Sequence, residues 1–260
     1  MPYGTLIKGL LIPFLGTSFG SAFVFFMKNE LSRRLQKALM GFASGIMIAA
    51  SVWSLIMPAI EQSQKLGRFS AVPAIVGFCI GTVFLLSLDG VSDCFYSSSV
   101  NKCSKSVFQK TVMMVIAVVL HNIPEGMAVG VVYAGLISGQ TNINELAALT
   151  LSVGIAIQNF PEGAIISMPL MSNGIRKTKS FVCGVMSGIV EPIAGIITIL
   201  LSRFAVAILP YLLGFAAGAM IYVVIAELIP EMMRDKNNYF AVIMFMFGFS
   251  VMVFLDVSLG

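Results

Sequence analysis

Charge is scarce in this sequence. Only 11% of its 260 residues are Asp, Glu, Lys or Arg, while 58% are hydrophobic. Soluble domains carry roughly 25% charged residues, so a water-soluble globule is excluded and a lipid-embedded chain is indicated. There is one His and one Trp. With a single His, no His-Glu-x-x-His zinc-hydrolase motif can be written, and an aromatic-lined pocket for an organic cation would have Trp53 as its one Trp. Four cysteines do not make a disulfide framework. Cys79 and Cys183 fall inside apolar runs, while Cys94 and Cys103 flank one short polar loop. No long polar stretch is left for a soluble second domain.

What is present is a series of apolar runs long enough to span a bilayer, each about 18 residues or more. They predict an all-α polytopic membrane protein: one bundle of eight transmembrane helices in a single domain over residues 1–260. The expected spans are Thr5–Met27, Ala38–Ile60, Val72–Asp93, Thr111–Leu136, Glu145–Met171, Phe181–Ser202, Ala205–Pro230 and Tyr239–Ser258. Lys8 alone precedes the first run, which is of full span length, so it reads as a signal-anchor helix and not a cleaved leader.

Orientation follows from the loops. Those after spans one, three, five and seven hold Lys28, Arg33, Arg34, Lys37, Lys102, Lys105, Lys110, Arg176, Lys177, Lys179, Arg234 and Lys236. The opposite side has Lys8, Lys65, Arg68 and Arg203. Cytoplasmic loops retain positive charge, so both termini are expected outside the cytoplasm of a multi-pass cell-membrane protein. The net charge of +4 belongs to these loops and is no sign of nucleic-acid binding. Tyr3, Tyr133 and Tyr211 near outer ends, with Tyr96 and Tyr239 near inner ends, suit an interfacial belt.

The informative polar residues lie mid-span. The fourth span contains His121-Asn-Ile-Pro-Glu-Gly126, and the fifth contains a near copy, Gln158-Asn-Phe-Pro-Glu-Gly163. A third carboxylate, Glu191, precedes Pro192 in the sixth span. A charge at the bilayer centre costs at least about 2.5–3.5 kcal/mol, so such residues face an internal cavity and serve function. Residues four apart share a helix face, which aligns His121 with Glu125 and Gln158 with Glu162. Asn122 and Asn159 lie about 100° further round each helix and can form an adjacent cluster with Glu191. Pro124 and Pro161 cannot donate to the carbonyls of Leu120 and Ile157, freeing backbone acceptors beside the polar face. Interrupted helices with polar midpoints are a feature of transporters.

The donor types select the cargo. Imidazole, carboxylate and amide oxygen together suit Zn²⁺, Fe²⁺, Mn²⁺ or Cd²⁺; an all-oxygen shell would indicate magnesium or calcium. A transporter for another cation, magnesium included, and an intramembrane zinc hydrolase are the alternatives. The hydrolase fails for want of a second His, and the chain is not expected to be an enzyme or to use a catalytic cofactor. Its partners are expected to be divalent metal ions and the lipid bilayer, with a homodimer as the protein–protein option.

These residues resemble those of the ZIP (Zrt-, Irt-like protein) family of divalent-metal transporters, especially its bacterial branch. The resemblance covers the whole chain: eight spans, outer termini, and paired motifs in spans four and five. It implies a two-metal centre halfway through the membrane and uptake toward the cytoplasm. His121, Glu125, Gln158 and Glu162 would form the main site; Asn122, Asn159 and Glu191 would flank a second, with Glu125 and Glu162 able to bridge. Gln158 stands where many members carry His, which leaves a weaker oxygen donor. Asn159 stands where an acidic residue is common, which removes negative charge from the second site. The His-rich loop of many relatives is absent between spans three and four.

Asp89 and Asp93 close the third span and Glu227 and Glu231 the seventh, which makes all four candidates for a cytoplasmic exit path. Glu61 and Asp256 read as interfacial charges. The 17 methionines, among them Met47, Met57, Met168 and Met171, read as adaptable packing. Gly41-x-x-x-Gly45 and Gly214-x-x-x-Gly218 permit close helix approach.

Overall fold

A computed structural model describes residues 3–26, 32–98, 107–139, 143–172, 174–202, 208–234 and 238–259. Side chains are described within these segments except at 3, 88–98, 107–118, 120, 121, 172, 202 and 259. The described residues form helices and short turns, with no strand among them. That is what lipid demands, because each backbone N–H and C=O must be satisfied within the segment.

Eight helices follow the eight apolar runs. They are α1 (Tyr3–Phe26), α2 (Arg33–Gln62), α3 (Val72–Ser98), α4 (Val107–Ser138), α5 (Glu145–Ser172), α6 (Lys177–Gly188 continued by Val190–Ser202), α7 (Leu209–Met233) and α8 (Tyr239–Leu259). Six of them are long and apolar enough to cross a membrane. α3 and α4, whose side chains are described only in part, complete the set. α2 begins earlier than its apolar run, because Ser32 caps it by accepting from the Leu35 amide at 3.3 Å and its first turns are polar.

Three irregularities have a common cause in proline. α2 passes through a π-helical segment at Ser51–Ile56 and α7 through another at Val224–Leu228. In each, a wider turn closes five residues back, Met57 N–H to Val52 and Ile229 N–H to Val224. Pro58 and Pro230 follow directly, and neither can donate to the carbonyl four residues earlier. α6 breaks at Ile189 for the same reason, since Pro192 leaves the Gly188 carbonyl without its helical donor. By contrast Pro13, Pro124 and Pro161 stay inside continuous helices.

The most extensive helix pairs are α1 with α5, α4 with α6, α2 with α8 and α3 with α7. Glycine stitches every one of them. Gly16 and Gly20 meet the carbonyls of Ala156 and Phe160; Gly126 meets that of Glu191; Gly41 and Gly45 meet Ala241 and Phe245; Gly214 and Gly218 meet Ala74 and Phe78. Lipid supplies no hydrophobic drive between helices, so such close backbone approach carries the association. α1, α4, α5 and α6 form one group and carry every mid-helix motif, while α2, α3, α7 and α8 form the other. The two meet across an apolar core that includes Ile46, Met47, Leu151, Ala217 and Met220. Met47 and Met168 are buried packing residues, whereas Met57 is exposed.

One expectation is corrected. Tyr133 does not join an interfacial belt: it is buried against Gly9 of α1, which has room for the ring only because it lacks a side chain.

Candidate metal centre

The paired motifs meet. Gln158 Nε2 of α5 donates to Glu125 Oε1 of α4 at 2.5 Å, joining the two copies at mid-helix. The adjacent cluster forms as well: Asn122 Nδ2 donates to Glu191 Oε1 and to the Ser187 carbonyl, both at 3.1 Å. Asn159 Nδ2 donates to the Pro13 carbonyl at 3.4 Å, and Asn159 and Glu162 both adjoin Glu191. Asn122, Glu125, Gln158, Asn159, Glu162 and Glu191 are all buried. The His121 side chain lies outside the described residues, as do those of Asp89 and Asp93.

The donor–acceptor balance in this cluster is lopsided. All three amides spend N–H groups on protein acceptors. The oxygens left over, Asn122 Oδ1, Gln158 Oε1, Asn159 Oδ1 and Glu191 Oε2, are buried and have no hydrogen-bond partner among the described residues. Leaving one buried acceptor unsatisfied costs about 1–3 kcal/mol, so four in one place favour a partner that is a donor or a cation, ordered water included. A surplus of buried oxygen acceptors, with carboxylates beside them, is complementary to a cation. Among the described residues, His, Cys, Asp and Glu alone do not assemble a group of three poised for a metal. Among the described residues, the oxygen-rich cluster is a mixture of amides and carboxylates.

The outlying candidates behave differently. Glu231 makes an exposed ion pair with Arg234 at 3.4 Å and borders a cavity of about 230 Å³ with Arg33 and Lys37. Glu227 is half-buried in the π-segment of α7. Asp256 is more than an interfacial charge: Ser54 of the α2 π-segment donates to it at 2.7 Å, and with Glu61, Gln62 and Asn144 both line a cavity of about 220 Å³. Sequence reasoning also missed Thr17, whose hydroxyl donates to Glu191 Oε1 at 2.7 Å from α1.

A glycine-stitched helical bundle with buried acceptors at mid-helix is the build of a membrane transporter for cations. Residues 97–256 match the family described as ZIP Zinc transporter. The chain is 34% identical to "Zinc transporter ZIP11" of Xenopus tropicalis, over 98% of this chain and 97% of that protein. It is 32% identical to "Zinc transporter ZIP11" of Homo sapiens, over 94% of each. It is 33% identical to "Zinc transporter ZIPB" of Bordetella bronchiseptica, over 99% of this chain and 82% of that protein. The chain belongs to the ZIP family, a family of divalent-metal transporters.

Proposed function

We propose that this protein takes up zinc into the cytoplasm through the buried centre on α4, α5 and α6. The principal shell is His121, Glu125, Gln158 and Glu162; Asn122, Asn159 and Glu191 flank it. The observation that carries this reading is the set of buried amide and carboxylate oxygens with no donor among the described residues. Relatives named as zinc transporters support zinc as the cargo. Fe²⁺, Mn²⁺ and Cd²⁺ fit the same donors and are secondary cargoes. Outer termini follow from the twelve cations on one face against four on the other. Asp89, Asp93, Glu227 and Glu231 belong to the inner end of the route, and a second copy of the chain is the protein partner.

The test is initial-rate uptake of radioactive zinc into vesicles holding the protein in known orientation. Excess unlabelled zinc, Fe²⁺, Mn²⁺, Cd²⁺ or Mg²⁺ is added in separate runs. Uptake above protein-free vesicles is expected, with Cd²⁺ competing more than Mg²⁺ but less than unlabelled zinc. Zinc entering no faster than in protein-free vesicles, in either orientation, would overturn the proposal.

A further inference from the structure

Nothing in the sequence pattern singles out Thr17, one of several hydroxyl residues in α1 with Thr5, Ser18 and Ser21. In the fold it is fully buried, and its Oγ1 donates to Glu191 Oε1 at 2.7 Å. Asn122 Nδ2 donates to that same oxygen at 3.1 Å. One carboxylate oxygen is thus committed to two donors, while Oε2 has no hydrogen-bond partner among the described residues. Bonds from a neutral donor to a carboxylate are short and strong, so this commitment fixes the plane of the group.

The surroundings hold Thr17 in place. A threonine side chain is stiff at χ1, and in a helix it settles into few rotamers. The Thr17 carbonyl accepts from Ser21 Oγ at 2.8 Å, and it packs so close to Gly163 that a Cβ there would lie 2.1 Å from it. On the other side Gly188 leaves the gap that Thr17 fills. A Cβ at 188 would stand 2.8 Å from Thr17 Cβ and 3.1 Å from Glu191 Oε1. α1, α5 and the break in α6 together present one hydroxyl to one oxygen.

We infer that Thr17 is a specificity-determining positioning residue: as the shorter of the two donors on Oε1 of Glu191, beside Asn122, it biases that carboxylate toward one oxygen for the cargo, and so favours zinc over larger divalent ions. The inference rests on Glu191 being a metal ligand, as proposed above. Zinc is content with four donors in a tetrahedron. Larger, oxygen-seeking cations take six to eight donors and use carboxylates in bidentate fashion when both oxygens are available. Cadmium is larger than zinc and tolerates higher coordination. A Glu191 released from Thr17 keeps only the longer bond from Asn122 on Oε1, so that oxygen is freer to join Oε2 on the cargo, which helps cadmium more than zinc. Partners of ligating carboxylates tune a metal site in this way without touching the metal.

The test compares zinc and cadmium uptake by the full-length protein and by Thr17→Val, Thr17→Ala, Thr17→Ser and Glu191→Ala in lipid vesicles. The readout is the ratio of the two KM values measured on each preparation, so differences in yield or partial misfolding cancel. Thr17→Val and Thr17→Ala should each shift the ratio about ten-fold toward cadmium, the scale of one hydrogen bond to a charged group. Thr17→Ser keeps the donor and should keep the ratio. Glu191→Ala should lose uptake of both ions. An unchanged ratio in Thr17→Val and Thr17→Ala, with Glu191→Ala inactive, would overturn the role of Thr17 and leave the site intact. A Glu191→Ala protein with native rates for both ions would remove Glu191 from the site.

Discussion

Glu125→Ala and Glu162→Ala are expected to abolish metal uptake at unchanged expression. Each is a buried carboxylate in a cluster otherwise made largely of neutral amides, so its loss removes charge that the neighbours cannot replace. Changing a group that merely supports a ligand costs roughly 10–100-fold in metal affinity, and losing a charged ligand should exceed that. Glu125 also accepts from Gln158 Nε2. Without it the amide loses the acceptor that turns its oxygen into the site. Asn159→Ala removes a neutral donor whose N–H is spent on the Pro13 carbonyl, and uptake should fall by a smaller factor. Initial rates in vesicles, normalised to protein, rank the three. Equal loss in Asn159→Ala and Glu125→Ala would show that the ranking of the two clusters is wrong.

The pairing of the two motifs was legible because it needs only local rules. The i, i+4 spacing puts Gln158 and Glu162 on one face, the duplication supplies a matching face on α4, and an antiparallel hairpin brings both to one depth. Span positions were legible because apolar runs and helix length obey the same bilayer thickness. What stayed hidden depends on packing between distant segments. Thr17 reaches Glu191 only because α1 lies against both α5 and α6, and a threonine among apolar residues gives no signal of that. Asp256 looked like a terminal interfacial charge, since its partner Ser54 sits on a π-segment of α2. Proline just after each π-segment was the available clue, but Pro13, Pro124 and Pro161 leave their helices continuous, so proline alone does not predict the widening. Tyr133 shows the opposite error. Its position near a helix end suggested the interface, and a glycine on α1 drew it inward.

Gly126→Ala should damage the protein as much as loss of a ligand, through packing alone. A methyl group at 126 would lie 2.2 Å from the Glu191 carbonyl oxygen and 2.7 Å from its Cα. Those are backbone atoms beside the α6 break, with no flexible side-chain end to yield. α4 and α6 must separate, and the hydrogen bonds from Asn122 to Glu191 and to Ser187 lengthen with them. Overpacking of this kind costs about 1–3 kcal/mol where a side chain can adjust, and rigid backbone makes the upper end the expectation. Gly4→Ala is the control, because it adds the same methyl to α1 with nothing within 4 Å. There alanine should stabilise by about 0.5 kcal/mol through its higher helix propensity. Thermal-inactivation midpoints in lipid nanodiscs, with zinc uptake on the same preparations, separate the two. Gly126→Ala should melt several degrees lower and transport little; Gly4→Ala should match the parent or melt slightly higher. A Gly126→Ala protein with native midpoint and native uptake would mean that α4 and α6 do not pack backbone to backbone at Glu191, and the geometry assigned to Asn122 and Glu191 would fall with that seam.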